Sequence, residues 1–176
     1  TVDDADVTMT YNGYECGGLV GYGQYLKVTN CSVTADIVVT GNYAGGLVGR
    51  WIEVYNANPT GSFEGTVSGS GYVGGIAGTI SESGTRRQAN GITVDITSIT
   101  ASGSNIGGLF GWARVDITDY ELSIPTIIGG ASSDTIGGFV GYYRDGSTSG
   151  CSFTGDITGR DNVGGILGYY YYNTGS

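Results

Sequence analysis

Carboxylates are the most numerous side chains in this sequence that could act as acids, bases or metal ligands. The chain has 16 acidic residues, 7 basic residues and no histidine, which removes Ser-His-Asp and Cys-His mechanisms and the commonest zinc ligand. The acidic residues that lie close together in sequence are Asp116 and Asp119, Asp156 and Asp161, and the run Asp3, Asp4 and Asp6. None follows a calcium-loop pattern, and calcium needs six or more oxygen ligands. We expect a solvated acidic edge, no enzymatic activity and no cofactor, with a structural calcium ion as the weaker alternative.

Three cysteines and one sequon complete the reactive residues. Cys16, Cys31 and Cys151 are odd in number and none lies in a Cys-x-x-Cys pair, so at most one internal disulfide can form, and Cys16–Cys31 is the favoured pairing. We expect instead that all three are small buried apolar side chains. Asn30-Cys31-Ser32 is a sequon for N-linked glycosylation, whereas proline excludes Asn58-Pro59-Thr60.

The overall composition excludes several classes of protein. A net charge of −9 argues against a nucleic-acid partner, because phosphate binding needs a basic stripe. No apolar run approaches the roughly 18 residues that a transmembrane helix requires. The chain has 35 glycines without a Gly-X-Y period, and 39% of its residues are hydrophobic, so neither collagen nor a disordered linker fits.

A five-residue block, Gly-Gly-apolar-apolar-Gly, recurs six times, with the first glycines of successive copies 27 to 33 residues apart. Such a period predicts a repeat architecture. The third positions of the blocks should stack into one internal ladder, and the flanking glycines should let opposed backbone walls approach closely. The core residues of the six blocks are Gly18, Leu19 and Gly21; Gly46, Leu47 and Gly49; Gly75, Ile76 and Gly78; Gly108, Leu109 and Gly111; Gly138, Phe139 and Gly141; and Gly165, Ile166 and Gly168.

A second block lies between the glycine blocks and alternates polar with β-branched or aromatic residues. Residues 31–37 resemble residues 151–157, and 61–67 and 91–96 are looser copies. Alternation at period two predicts strands. The copy at 120–127 contains Pro125, so we expect a bent or bulged strand there.

These patterns predict an all-β fold, a β-solenoid (β-helix) of six coils of about 29 residues with two or three short strands per coil. The whole chain, 1–176, would form one repeat domain, with repeats at approximately 1–26, 27–56, 57–86, 87–116, 117–146 and 147–176. A propeller is the structural alternative, but its blades usually run to about 40 residues or more.

The Gly-Leu-x-Gly core of the blocks, as in Gly18-Leu19-Val20-Gly21 and Gly46-Leu47-Val48-Gly49, resembles the GLUG repeat family. Ile or Phe replaces Leu in other copies, and the resemblance covers all six. It implies a secreted or cell-surface β-solenoid, because family members include adhesin-like proteins and non-catalytic regions of surface peptidases. It implies no activity and supplies no functional residues.

The two ends of the chain are in phase. Residues 173–176 match the turn that precedes a strand block, and the first residues lie in such a block. Terminal coils without caps expose backbone groups to a partner. We therefore expect copies of the chain to pair end to end and laterally into a fibre, sheath or layer, unless the chain is a segment of a longer array.

An aromatic band offers a second surface. If the third block position faces inward, strand alternation places the fourth and sixth outward, as the pairs Val20/Tyr22, Val48/Arg50, Ala77/Thr79, Phe110/Trp112, Val140/Tyr142 and Leu167/Tyr169. Exposed bands of this kind mark interfaces, and the candidate interface residues are Tyr22, Trp112, Tyr142, Tyr169, Tyr170, Tyr171 and Tyr172. Alternatively this face belongs to the core, and the tyrosine run is a strand with alternating buried rings.

Two main functions remain open. The leading hypothesis is an extracellular structural repeat protein that self-assembles through its coil ends and flat faces. The alternative is an adhesive module that binds glycans or a host or cell surface through the aromatic band. Ice binding ranks lower, because it needs a flat threonine array and the threonines scatter over several faces. A catalytic β-helix ranks last.

Overall fold

The computed structural model describes residues 7–8, 14–54, 59–82, 88 and 91–173. Three strands recur along the chain in a fixed order: a long strand, a three-residue strand, and a five-residue strand that follows after a two-residue bend. Within the described residues no helix is long and apolar enough to cross a membrane.

The recurring strands align into three parallel sheets, each of six strands. Sheet A contains the two-residue strand β1 (Val7–Thr8) and the long strands β4 (Cys31–Val38), β7 (Gly61–Gly69), β10 (Ile92–Ala101), β14 (Glu121–Gly129) and β18 (Ser152–Thr158). Sheet B contains β2 (Glu15–Gly17), β5 (Tyr43–Gly45), β8 (Tyr72–Gly74), β11 (Asn105–Gly107), β15 (Thr135–Gly137) and β19 (Asn162–Gly164). Sheet C contains β3 (Val20–Gln24), β6 (Val48–Ile52), β9 (Ala77–Ser81), β12 (Phe110–Arg114), β16 (Val140–Arg144) and β20 (Leu167–Tyr171). A short parallel pair, β13 (Ile117–Thr118) and β17 (Thr148–Ser149), lies outside these sheets.

Each strand pairs with the equivalent strand one repeat away, as when Val33 aligns with Phe63 in sheet A and Tyr43 with Tyr72 in sheet B. Six strands per sheet are joined by about five turns of chain. The fold is therefore an all-β solenoid of parallel stacked coils, as the repeat predicts. The propeller alternative is wrong, because its blades are built from antiparallel neighbours within one repeat.

The second sequence block forms the strands of sheet A. Residues 31–37, 61–67, 92–96 and 152–157 all lie in long strands, and their apolar positions, such as Val33, Phe63 and Ile96, point into the core. The strand that contains Pro125 shifts register against β18 between Ser123 and Thr126. The predicted bulge is confirmed, and β10, which has no proline, shifts register against β7 at the equivalent place, between Ile96 and Ser98.

The third position of each glycine block lies at the bend between sheets B and C. Leu47, Ile76, Leu109 and Phe139 are completely buried, while Leu19 and Ile166, in the two outermost described coils, are partly buried against the same core. Backbone N–H groups join these positions in series, from Leu19 N to Leu47 O at 2.9 Å through to Phe139 N to Ile166 O at 2.9 Å. The predicted internal ladder is confirmed.

The block glycines lie where another side chain would not fit. A methyl group on Gly18 would lie 2.6 Å from the Gly46 carbonyl oxygen and 2.6 Å from Val33 Cγ1, which belongs to the opposed sheet A. One on Gly49 would lie 2.5 Å from the backbone nitrogen of Cys16. These distances are well inside carbon contact distances of about 3.5–4.0 Å. The coil is thin because glycine lets its walls touch, as the sequence predicts.

Candidate functional surfaces

Of the fourth and sixth block positions in sheet C, only the sixth carries an outward-facing side chain. The glycine at the fifth block position takes no part in the pairing register, which passes from Val48 with Ala77 directly to Arg50 with Thr79. This interruption breaks simple alternation. The sixth positions point outward and form what we call the outer row: Tyr22, Arg50, Thr79, Trp112, Tyr142 and Tyr169.

The expectation that the fourth positions also face outward is wrong. Val48, Ala77, Phe110 and Val140 are 0% exposed, and Val20 and Leu167 pack partly buried against the core. Their side chains therefore belong to the core. The aromatic band predicted from alternation is therefore narrower, limited to the outer row and the last coil.

The four consecutive tyrosines of the last described coil are all substantially exposed. Tyr169, Tyr170, Tyr171 and Tyr172 are 41%, 47%, 41% and 59% exposed. Tyr170 aligns with Tyr143 of the preceding coil, which is 1% exposed. Tyr170 thus occupies a core position that no further described coil covers.

Aromatic rings stack between neighbouring coils. The ring centroids of Tyr142 and Tyr169 lie 5.1 Å apart, and those of Tyr143 and Tyr170 lie 5.8 Å apart. Cross-strand aromatic pairs at such separations contribute about 0.5–1.5 kcal/mol beyond the area they bury. The predicted interface residues thus include a connected aromatic surface in the last two coils. Tyr22 lies apart, at the opposite end of the outer row.

A groove interrupts the outer row at its centre. We call it the notch; it has a volume of about 220 Å³ and is lined by Tyr43, Arg50, Tyr72, Thr79, Ser81 and Trp112. It exists because β9 carries the short side chains Thr79 and Ser81, whereas the neighbouring strands carry Arg50 and Trp112 at the equivalent of Thr79. In the sequence this groove shows only as the two non-aromatic sixth positions, Arg50 and Thr79.

One wall of the notch is an aromatic stack supplied by sheet B. Tyr43 and Tyr72 are stacked with centroids 5.1 Å apart and planes inclined by 11°. The Arg50 guanidinium lies 5.3 Å from the Tyr43 ring centroid and 5.8 Å from that of Tyr22, and its Nη1 lies 3.7 Å from Glu15 Oε1. The notch thus combines aromatic faces, hydroxyls and one cation.

A buried carboxylate lies beyond sheet C and was not identified from the sequence. Asp145 is only 7% exposed, accepts a hydrogen bond of 2.6 Å from the Asn173 N–H, and lies 3.6 Å from Arg114 Nε and 3.3 Å from Arg144 Nε. That N–H, together with the two guanidinium groups, holds the pKa of Asp145 below its ordinary value. The sequence does contain a pattern that could have indicated this cluster, because Arg114 and Arg144 occupy the same position in consecutive repeats. The cluster ties three coils together.

The predicted carboxylate pairs do not form a site. Asp116 accepts hydrogen bonds from the backbone N–H and the hydroxyl of Ser147, at 3.0 and 2.9 Å, and Asp161 pairs with Arg160 at 2.6 Å. Asp119 and Asp156 are exposed. Across the described part of the chain, no group of three or more Cys, Asp or Glu side chains is arranged to hold a metal ion. Asp3, Asp4 and Asp6 lie outside the described residues.

The three cysteines are free thiols. Cys16 is buried, as expected, and burial raises the pKa of its thiol. Cys31 and Cys151 are only half-buried, so the expectation that all three are buried is wrong for these two. Each begins or immediately precedes a long strand at the rim of sheet A.

Asn30 of the sequon is exposed and adopts a left-handed backbone conformation with φ of 52°. Its side-chain oxygen accepts a hydrogen bond of 3.1 Å from the Thr60 hydroxyl. Glycosylation of Asn30 stays a prediction.

Comparison with known proteins gives two matches to this chain. The GLUG motif matches residues 12–38 and 132–158, which confirms the resemblance noted from the glycine blocks. Halomucin of Haloquadratum walsbyi (strain DSM 16790 / HBSQ001) is 30% identical over 167 residues, an alignment that covers 83% of this chain and 2% of halomucin. The chain therefore spans a very small part of that relative. No solved structure matches the chain.

Proposed function

Because the chain carries GLUG motifs at residues 12–38 and 132–158, we propose that it is an extracellular, non-catalytic structural protein. Its solenoid consists of six coils of about 29 residues, and its terminal coils stack on those of further copies to build a surface fibre, sheath or layer. The similarity to halomucin supports the extracellular location.

The observation that carries the proposal is the direction of the hydrogen-bond ladder at the bends. In every step an N–H group donates to the carbonyl of the following coil: Leu19 to Leu47, Leu47 to Ile76, Ile76 to Leu109, Leu109 to Phe139 and Phe139 to Ile166. At the bends, the first described coil therefore presents a carbonyl acceptor and the last described coil an N–H donor, while outside the bends N–H groups also donate to the preceding coil, as from Ser102 N to Gly69 O at 3.1 Å. Two complementary ends favour a head-to-tail contact, which does not close on itself and so extends into a filament.

Apolar surface at the last coil supports the same contact. Ile166 and Leu167 are partly exposed, whereas Phe139 and Val140, their equivalents one coil earlier, are 0% exposed. Val163 is 44% exposed, while its partner Ile136 is completely buried. A further coil would cover these side chains, and each square ångström of apolar surface removed from water contributes about 25 cal/mol.

Gly165 gives a sharp test. A methyl group on Gly165 would have no atom within 4 Å beyond its chain neighbours. In a stacked assembly, however, a backbone carbonyl of the following coil would overlap that methyl group, as the Gly165 carbonyl would overlap a methyl group on Gly138. Gly165→Ala should therefore leave the monomer folded and block assembly. The matched control is Thr158→Ala on the exposed face of sheet A, which should assemble as the unaltered chain does.

Analytical ultracentrifugation across a concentration series, followed by electron microscopy, measures the outcome. We expect the unaltered chain and Thr158→Ala to form head-to-tail oligomers and filaments with increasing concentration, and Gly165→Ala to stay monomeric. A monodisperse monomer of the unaltered chain at high concentration would contradict the proposal, as would assembly of Gly165→Ala to the same extent. Pairing through the flat faces would appear as lateral bundling that Gly165→Ala retains.

A second candidate function is an adhesive module that binds glycans. The exposed aromatic side chains of the outer row favour it, since Tyr22 and Tyr169 are 48% and 41% exposed and rings with an apolar body and a polar tip suit partly wet contacts. Dispersed particles that bind an array of glycans would support adhesion over assembly.

A further inference from the structure

The notch has the dimensions and the chemistry of a sugar-binding site. Its floor is one strand wide, because Thr79 and Ser81 of β9 lie between β6, which carries Arg50, and β12, which carries Trp112. Strands lie about 4.8 Å apart, so the backbones of the two walls are separated by roughly 10 Å. A single pyranose ring can enter a gap of this width.

The aromatic walls and the hydroxyl-bearing floor of the notch match the two kinds of surface that a sugar ring presents. A pyranose has an apolar C–H face and a rim of hydroxyls. The stacked rings of Tyr43 and Tyr72 and the Trp112 ring supply apolar surface with polar tips. The hydroxyls of Thr79 and Ser81 at the floor each donate one hydrogen bond and accept others.

Charge selects the kind of sugar. Among the described residues that line the notch, Arg50 is the one charged side chain. Its pairing with Glu15 joins side chains that are 38% and 25% exposed at 3.7 Å, and exposed pairs of this kind contribute only about 0–1 kcal/mol. The guanidinium can therefore exchange Glu15 for a ligand carboxylate, whose two oxygens fit its planar fork.

From this arrangement we propose that the notch binds a carboxylate-bearing pyranose, a uronic acid unit of an acidic glycan, with Arg50 on the carboxylate and the ring between the Tyr43–Tyr72 stack and Trp112. The proposal deepens the glycan-binding candidate and rests on it, but it is independent of coil stacking. The net charge of −9 opposes an anionic ligand at long range. At physiological ionic strength that opposition is screened beyond about 8 Å, whereas a contact with Arg50 is not.

The test uses trigalacturonate and its methyl ester, which share the sugar chain but carry charged carboxylates in one and uncharged methylated carboxyl groups in the other. Trp51 is completely buried, and its indole N–H donates to Leu26 O at 3.3 Å, so a change in tryptophan fluorescence on titration reports Trp112. We expect saturable binding of trigalacturonate, with the methyl ester bound at least about tenfold more weakly, as loss of a charge-assisted pair implies.

Variants locate the site by calorimetry, which does not depend on fluorescence. Arg50→Gln should bring the affinity for trigalacturonate down to that for the ester. Trp112→Thr copies the residue that β9 carries at the same position, which protects folding, and it should weaken both ligands. Tyr169→Ala, in the outer row but two coils from Trp112, should change neither affinity.

Two results would overturn the proposal in different ways. Equal affinity for trigalacturonate and its ester, or an Arg50→Gln variant that keeps the preference for acid, would refute carboxylate recognition and leave glycan binding standing. Absence of binding by both ligands, together with an unreactive glycan array, would refute the site and the glycan-binding candidate together.

Discussion

Replacing Gly138 by alanine places a methyl group at the most crowded part of the coil. That methyl would overlap the carbonyl oxygen of Gly165 in the following coil and lie 2.5 Å from Cγ and 2.7 Å from Cδ2 of the Phe153 ring in sheet A. The ring could turn aside, but the carbonyl belongs to the backbone of the next coil. The two coils must therefore separate at this bend.

The cost has two parts. Forcing an extra methyl group into a packed core costs about 1–3 kcal/mol. Separating the coils also weakens the hydrogen bond from Gly138 N to Gly164 O, which is 3.1 Å long, and a hydrogen bond of this kind contributes about 1 kcal/mol. Together they destabilise the fold by roughly 2–4 kcal/mol, equivalent to a fall in Tm of roughly 5–15 °C for a chain of this length.

Urea and thermal unfolding of Gly138→Ala and Gly165→Ala, at a concentration where each variant is monomeric, measures this effect. Both substitutions make the same chemical change at the same block position, but Gly165 has open space around it. We expect Gly165→Ala to leave the free energy of unfolding unchanged or to raise it by up to about 1 kcal/mol, because alanine lowers the entropy of the unfolded chain. Equal effects of the two substitutions would show that glycine serves conformational freedom rather than close packing, and would refute the reasoning.

Two further predictions concern the buried ionisable groups. Because Asp145 has a lowered folded-state pKa, its stabilising contribution is fully present above its unfolded pKa of about 3.9 and is lost as the pH falls through the folded value. Asp145→Asn should therefore have a lower urea midpoint than the unaltered chain at pH 7, and the gap between the two midpoints should be smaller at pH 3. An equal gap at both pH values would refute the stabilising role of the Asp145 carboxylate. In thiol titration with Ellman's reagent, Cys31 and Cys151 should react in the native protein and Cys16 only on unfolding, because Cys16 is buried with a raised pKa; early reaction of Cys16 in a Cys31→Ser/Cys151→Ser variant would contradict its burial.

The coil could be predicted from the sequence because two independent patterns lead to the same fold. The glycine spacing indicates the repeat, and the period-two alternation indicates the strands. The block glycines mark where walls meet, and the alternation of residues 31–37 marks a strand with one buried face. Pro125 marks a strand that bulges beside it, because proline cannot donate to the ladder, although β10 bulges at the equivalent place without a proline. Each of these signals is local, so no partner needs to be known in advance.

The surfaces were harder to predict because they depend on details that composition does not contain. Alternation assigned Val48 and Phe110 to the outside, but both are completely buried, and the glycines that follow them, Gly49 and Gly111, take no part in the strand pairing. The notch needs Tyr43 of sheet B to stand beside Arg50 of sheet C, and that juxtaposition follows from the bend between the sheets rather than from sequence distance. The Asp145 cluster likewise joins residues from three coils.

The separation of inward and outward rows bears on how such a repeat can acquire a binding function. Thr79 and Trp112 occupy the same outward position in neighbouring coils although they differ greatly in size. The inward residues two positions before them, Ala77 and Phe110, still pair with each other and are completely buried. Outer-row residues can therefore change without disturbing the ladder that holds the coils together. A groove arises wherever one coil carries short side chains between two that carry long ones. Coil stacking and ligand binding thus depend on different residues of the repeat. Gly165→Ala should therefore block assembly without changing the affinity of the notch, and Arg50→Gln should lower the affinity of the notch for trigalacturonate without changing assembly.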